Sequence, residues 1–277
     1  MIVHLTARLR PELHLLVDLA NAWWLWRRLR ETWPTALAAV LMDSHLHLVV
    51  RVTDAGAATS ALGAVLGGHA RHVGEPRLWL RVPDPTPLGS AKHVRRSVRY
   101  VHLNPVRAGL VEDPLEWPLS THRGAVGAEY LPWVDAAELA RELGRPVRSL
   151  PEWLHHYVSA DAETNPAGTP MPIPVMPREP GAVPQPSLDR IIGATSSATP
   201  WSSVQERRHL VVLLARHQGV RSTAAIARAA GISERRVRSL SLEPNPRLLA
   251  AGALCLGDRR LVLPAQLQPP PASRRKR

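Results

Sequence analysis

A chain of 277 residues is long enough for two domains and a sizeable core, and 45% apolar with 21% charged residues reads as globular. One cysteine, Cys255, excludes a disulfide framework and a thiolate zinc site. No apolar run reaches the roughly 18 residues of a membrane span, and Met1 to Arg10 reads as a strand rather than a signal peptide, so a cytoplasmic protein with no membrane partner is expected. The net charge of +12 divides into +5 over residues 1–125, −4 over 126–200 and +11 over 201–277. Compositional bias explains the use of arginine over lysine, since only Lys92 and Lys276 are lysines, but not the excess at the end of the chain. Two basic segments around an acidic one suit a polyanionic partner, which points to nucleic acid and a nucleoid-associated location.

In chain order, Ile2 to Leu9 alternates like a strand, and Pro11 to Thr32 has helical spacing with Leu13, Leu16, Val17 and Ala20 on one face. Ala36 to Met42 and His45 to Val52 are apolar runs joined by Asp43-Ser44, a hairpin. Ala58 to Val73 reads as a helix and Arg77 to Val82 as a strand. Ser90 to Leu103 reads as a helix capped by Ser90, with Val94, Val98 and Val101 inward. The order βαββαβ plus a terminal helix is the ferredoxin-like pattern of an α+β fold, an antiparallel sheet with helices on one side. The stretch 161–186 carries a proline every few residues and reads as a linker, and 264–277 reads as a basic disordered tail.

Between them, the spacing in 223–240 (TAAIARAAGISERRVRSL) matches a helix-turn-helix. Ala227 lets two helices approach, Gly231 takes the turn, Ser233 caps the second helix, and Ile226, Ala230, Ile232, Val237 and Leu240 face inward. The outward residues are Arg235, Arg236 and Arg238, so Ser233 and these arginines are candidate contacts to duplex DNA, against the plainer reading of a helical hairpin.

Two further groups could carry chemistry. His45 and His47 alternate onto one face of the third strand while Leu46, Leu48 and Val50 take the other; two neutral imidazoles on one face can hold a divalent metal, although an H-x-H is also what two surface histidines look like. Tyr100 is one of three tyrosines and stands among Lys92, Arg95, Arg96 and Arg99, surroundings that favour phenolate and attract phosphate. Asn104, four residues on, shares its helical face if the helix survives Pro105, and offers an oxygen ligand. A tyrosine packing its ring against the sheet fits the same pattern.

The strings at 42–49 (MDSHLHLV), 100–111 (YVHLNPVRAGLV) and 117–123 (WPLSTHR) closely resemble the single-tyrosine HUH transposases, in particular the REP-associated tyrosine transposases. Leu131-Pro132-Trp133-Val134-Asp135 and Trp153 to Val158 resemble an accessory region of longer members, so the resemblance spans about residues 1 to 158. It implies His45 and His47 as metal ligands with Asn104 as the third, Mg²⁺ or Mn²⁺ as the cofactor, and Tyr100 as the nucleophile. Single-stranded hairpin DNA would be cut through a 5′-phosphotyrosine intermediate, with Arg95, Arg96 and Arg99 near the DNA backbone. Asp43-Ser44 stands where the family usually has Pro-Asn. Arg207 to Leu261 resembles, more weakly, the helix-turn-helix that ends bacterial replication initiators.

The expected plan is therefore a catalytic domain at 1–125, a helical accessory region at 126–160, the linker at 161–186, the helix-turn-helix domain at 187–263 and the tail at 264–277. A homodimer is compatible with this plan, and the oligomeric state stays open. A domesticated DNA-binding regulator that no longer cuts is the competing reading. An RNA-binding sheet is disfavoured, because Trp79 is the only aromatic residue in an expected sheet strand.

Overall fold

The computed structural model describes residues 1–159, 186–240 and 245–263, and among them the protein is α+β, with a small antiparallel sheet and many helices. The stretch 161–185 of the expected linker and the expected tail lie outside the described residues. The chain divides into two compact units: residues 1–126 with 132–159, and residues 127–131 with the described residues from 186 onward.

The first unit is built on four strands, β1 (Ile2–Arg8), β2 (Ala38–Leu41), β3 (His45–Arg51) and β4 (Thr86–Pro87), in the order β2-β3-β1-β4 with every pair antiparallel. The register sets Thr6 opposite His47 and Arg8 opposite His45. Directly opposed residues share a face, so His4, Thr6 and Arg8 lie with His45 and His47. Leu5, Ala7, Leu46, Leu48 and Val50 form the other face and are buried. The helices α1 (Leu19–Thr32) and α2 (Ala55–Val73) pack on each other and bury Trp23, Leu25, Trp26 and Leu29 on one and Leu62 and Leu66 on the other.

Two expectations change here. Helix α1 begins at Leu19 rather than Pro11, because Asp18 caps it by accepting from the Ala20 amide at 2.8 Å. The preceding residues are instead held by the hairpin turn: the Leu16 amide donates to the Asp43 carboxylate at 2.9 Å, the Leu15 amide to the Asp43 carbonyl at 2.8 Å, and His14 pairs with Asp43 at 2.5 Å. Asp43 thus pins this segment. The run Arg77 to Val82 is not a strand; Trp79 makes only an isolated bridge to Leu9, and the short β4 lies further on, at Thr86 and Pro87. Prolines at 83, 85 and 87 lack the N–H a ladder needs.

Helix α3 (Ala91–Arg107) lies against the histidine face of the sheet. Ser90 caps it, Val94, Val98 and Val101 are buried, and Gly109, with φ of 67°, follows its end. The helix runs through Pro105, so Asn104 keeps helical geometry although it precedes a proline. The short α4 (His122–Ala125), α5 (Ala136–Leu143) and α6 (Leu150–Ser159) complete the unit. Arg51 at the end of β3 holds α5 through Glu138 at 3.0 Å and Glu142 at 2.6 Å.

The second unit contains α7 (Leu188–Ala198), α8 (Val204–His217), α9 (Thr223–Ala230), α10 (Glu234–Ser239) and α11 (Pro246–Gly257). Residues 127–131, expected in the accessory region, pack within this unit: the Tyr130 amide donates to the Ala198 carbonyl at 2.8 Å, and Cys255 Sγ donates to the Ala128 carbonyl at 3.2 Å. Helix α8 starts with a reciprocal cap between Ser203 and Glu206. Gly231, with φ of 63°, ends α9, and Ser233 opens α10 two residues later by accepting from the Arg236 amide. Gly252 lets α11 approach α8, since an added Cβ would sit 2.9 Å from a Leu210 methyl.

Candidate functional site

Strand alternation and one helix place His4, His45, His47, Tyr100 and Asn104 together. The His45 and His47 ring centroids are 5.0 Å apart, His47 and Tyr100 5.2 Å, and His4 and His47 5.1 Å. Tyr100 is the outward member, 39% exposed, with the Arg107 guanidinium 5.7 Å from its ring centroid. Asn104, one helical turn further, is 8% exposed. His47 is only 6% exposed, so it is not a surface histidine: α3 covers it.

The hydrogen-bond pattern leaves specific atoms over. Ser44 Oγ lies 3.0 Å from His45 Nδ1, and His4 Nε2 lies 3.0 Å from His47 Nδ1. His47 Nε2 and the Asn104 amide Nδ2 are buried with no hydrogen-bond partner among the described residues. Burial lowers the pKa of all three histidines. For His45 the Arg8 charge adds to burial and a hydrogen bond with Asn104 opposes it; for His47 burial, His4, His45 and Arg8 together lower the value to about 3. The imidazoles are therefore neutral at pH 7, the state in which a ring nitrogen can ligate a cation.

The basic residues around Tyr100 separate by helical phase. Lys92 and Arg96, spaced eight and four residues before Tyr100, are exposed along its stripe. Arg95 instead reaches the Leu143 carbonyl of α5 at 3.4 Å, and the Arg99 guanidinium sits 5.0 Å from the Tyr157 ring centroid of α6. The expected cluster of charge beside the phenol is thus split, and Arg95 and Arg99 brace the helices that follow.

His4 is the member that sequence reasoning missed. The strand was legible, and the same alternation that pairs His45 with His47 puts His4 on their face. A second group also went unread: His102, His122 and His155 form a buried chain, with His122 Nδ1 3.3 Å from His102 Nδ1, His122 Nε2 3.1 Å from His155 Nδ1, and His102 Nε2 3.0 Å from Thr121 Oγ1. Among the described residues no group of three or more His, Cys, Asp or Glu is arranged to hold a metal ion, so a cation at the His45 and His47 pair needs an oxygen from another residue type, which Asn104 can provide.

In the second unit Ser233, Arg235, Arg236 and Arg238 are all exposed on or before α10, while Ile226, Ala227, Ala230 and Val237 are buried. Arg238 pairs with Glu234 one turn back at 2.9 Å. Arg236 and Arg208 line a cleft of about 520 Å³ between α8 and α10.

No family model matches this chain, and no curated protein does. Among solved structures, a REP-associated tyrosine transposase bound to a REP hairpin aligns with 21% identity over 43% of this chain and 75% of that one, at a TM-score of 0.37. No helix among the described residues is long and apolar enough to cross a membrane.

Proposed function

We propose that the first unit is a tyrosine-dependent DNA strand transferase of the HUH type acting on single-stranded hairpin DNA, and that the second unit binds duplex DNA. The observation that carries the reading is the arrangement of a half-exposed Tyr100 ring 5.2 Å from His47, whose Nε2 is buried and unpartnered, with Asn104 one turn along the same helix. The strand order β2-β3-β1-β4, with α1 and α2 as the two crossovers, supports the ferredoxin-like reading of the sheet.

Tyr100 Oη attacks the scissile phosphorus as the bond to the 3′ oxygen breaks; the phenol proton leaves, the departing oxygen takes a proton, and a 5′-phosphotyrosine and a free 3′-hydroxyl result. Attack by a second 3′-hydroxyl reverses the step and joins strands. Lys92 and Arg96 hold the backbone along the Tyr100 stripe, and Arg107 holds the ring. Two atoms left over, His47 Nε2 and the Asn104 amide, fit a hard divalent cation, because amide oxygen and nitrogen are interchangeable in placement. Mg²⁺ or Mn²⁺ would be held by His45, His47 and Asn104 and would neutralise charge on the scissile phosphate.

The test is a labelled single-stranded hairpin incubated with protein and Mn²⁺, denatured, and searched for label migrating with protein. Wild type forms the adduct, Tyr100→Phe forms none while retaining DNA affinity, and the Phe variants of Tyr130 and Tyr157 still form it. An adduct on Tyr100→Phe overturns the nucleophile; no adduct on any hairpin from the protein's own genome favours the non-cutting DNA-binding regulator.

For the second unit, a buried α9–α10 seam joined at Gly231 with Arg235 and Arg236 outward supports the helix-turn-helix reading. Replacing both arginines with alanine in the full chain lowers duplex affinity and reduces the salt slope by about two, leaving adduct formation on a short single strand unchanged. An unchanged duplex affinity removes α10 from the interface.

A further inference from the structure

We propose that His4 is a positioning residue: it fixes which ring nitrogen of His47 carries the proton, so that Nε2 is kept as a bare lone pair. This rests on the reading of His47 as a cation ligand. The observations are geometric. His4 lies two residues along β1 from Thr6, which faces His47 across the ladder, so the two histidines are diagonal neighbours on one face. Their rings are 5.1 Å apart and inclined by 38°, and His4 Nε2 is 3.0 Å from His47 Nδ1.

A neutral imidazole has one N–H and one lone pair, so this contact allows two arrangements. If His4 Nε2 donated, His47 would carry its proton on Nε2, a buried donor with no acceptor, and could offer a cation nothing. If His47 Nδ1 donates, His4 accepts on Nε2 and carries its own proton on Nδ1, and His47 Nε2 is the lone pair. Only the second arrangement makes the buried, unpartnered Nε2 useful. Ser44 Oγ stands in the same relation to His45, at 3.0 Å from its Nδ1. Each histidine of the pair thus has its Nδ1 engaged by a neighbour. Tyr100, whose ring centroid is 6.3 Å from that of His4, closes the same pocket from α3.

The decisive measurement needs neither metal nor activity. Long-range ¹H–¹⁵N correlation of the imidazoles in the metal-free full chain at neutral pH reports each tautomer directly. His47 with the proton on Nδ1 and His4 with the proton on Nδ1 is the expected result; His47 protonated on Nε2 overturns the proposal. Free Mn²⁺ counted by electron paramagnetic resonance then gives the consequence: His4→Ala weakens Mn²⁺ binding about tenfold or more, and His4→Gln, whose carbonyl oxygen can accept from Nδ1–H, recovers most of the loss. His4→Ala with wild-type tautomer and wild-type Mn²⁺ affinity also overturns it. A wild type with the expected tautomers that binds no Mn²⁺ and forms no adduct removes the cation reading while the positioning of His47 by His4 stands.

Discussion

The first unit holds two groups of histidines that differ in one respect that decides what each can do. His102, His122 and His155 are bonded to one another and to Thr121, all three are fully buried, and their contacts join α3, α4 and α6. In the other group His4 and Ser44 engage Nδ1 of His47 and of His45, His45 also bonds Asn104, and His47 Nε2 has no partner among the described residues, beside a half-exposed tyrosine. The two groups differ in their surroundings: the first is sealed, all three rings being fully buried, whereas the second borders the 39% exposed Tyr100 ring and so lies next to solvent.

The largest expected contrast comes from deleting one ring on each side. His45→Ala abolishes adduct formation, by at least about 100-fold, and changes folding stability by less than about 1 kcal/mol, since the side chain is half-buried at the end of β3. His102→Ala does the reverse: urea unfolding shows a loss of about 2–4 kcal/mol, because a fully buried ring is removed and Thr121 and His122 lose a partner, while adduct yield per folded molecule stays close to wild type. Equal stability of the two variants would break the comparison.

A smaller effect appears with pH, and the two groups share it, since burial lowers the His47 pKa to about 3 as well. Burial lowers the His102 pKa from 6.5 to about 3, so the unfolded chain binds a proton that the folded chain does not over that interval. A depressed pKa means stability that is complete above pH 6.5 and declines as pH falls toward 3. Between pH 6.5 and 5 the decline is about 2 kcal/mol for this one group. Unfolding measured at both values shows the loss in wild type, and His102→Gln, which cannot titrate, makes it shallower by about that amount. An unchanged slope in His102→Gln would mean that His102 is protonated in the folded protein.

How much of this was legible is clearest at particular residues. The hairpin carrying His45 and His47 could be read from two apolar runs separated by Asp43-Ser44, and the α3 face from the spacing of Val94, Val98 and Val101, because alternation and helical period are local properties of the chain. The cap at Ser90 and the turn at Gly231 were readable for the same reason: each needs only its neighbours. Helical spacing runs back to Pro11, yet α1 starts at Leu19, because the bonds that hold His14, Leu15 and Leu16 come from Asp43, far along the chain. The run 77–82 alternates like a strand but pairs only at Trp79, because prolines follow it closely and the edge of β1 it meets is remote in sequence.

By itself the sequence determined β1, the β2–β3 hairpin, α2 and α3, the two histidines on one face, the tyrosine one helical turn from Asn104, and the basic distal segment, since each is written in short-range periodicity or composition. Tertiary structure alone decided that α3 covers the His45 and His47 face, that Arg95 and Arg99 turn to α5 and α6 rather than to Tyr100, that residues 127–131 belong with the distal helices, and that His4 meets His47 while His102 meets His122 and His155. The physical reason is the same throughout: a side chain's partners are set by register and packing between segments tens of residues apart, and no local pattern records which of its free atoms another segment will reach.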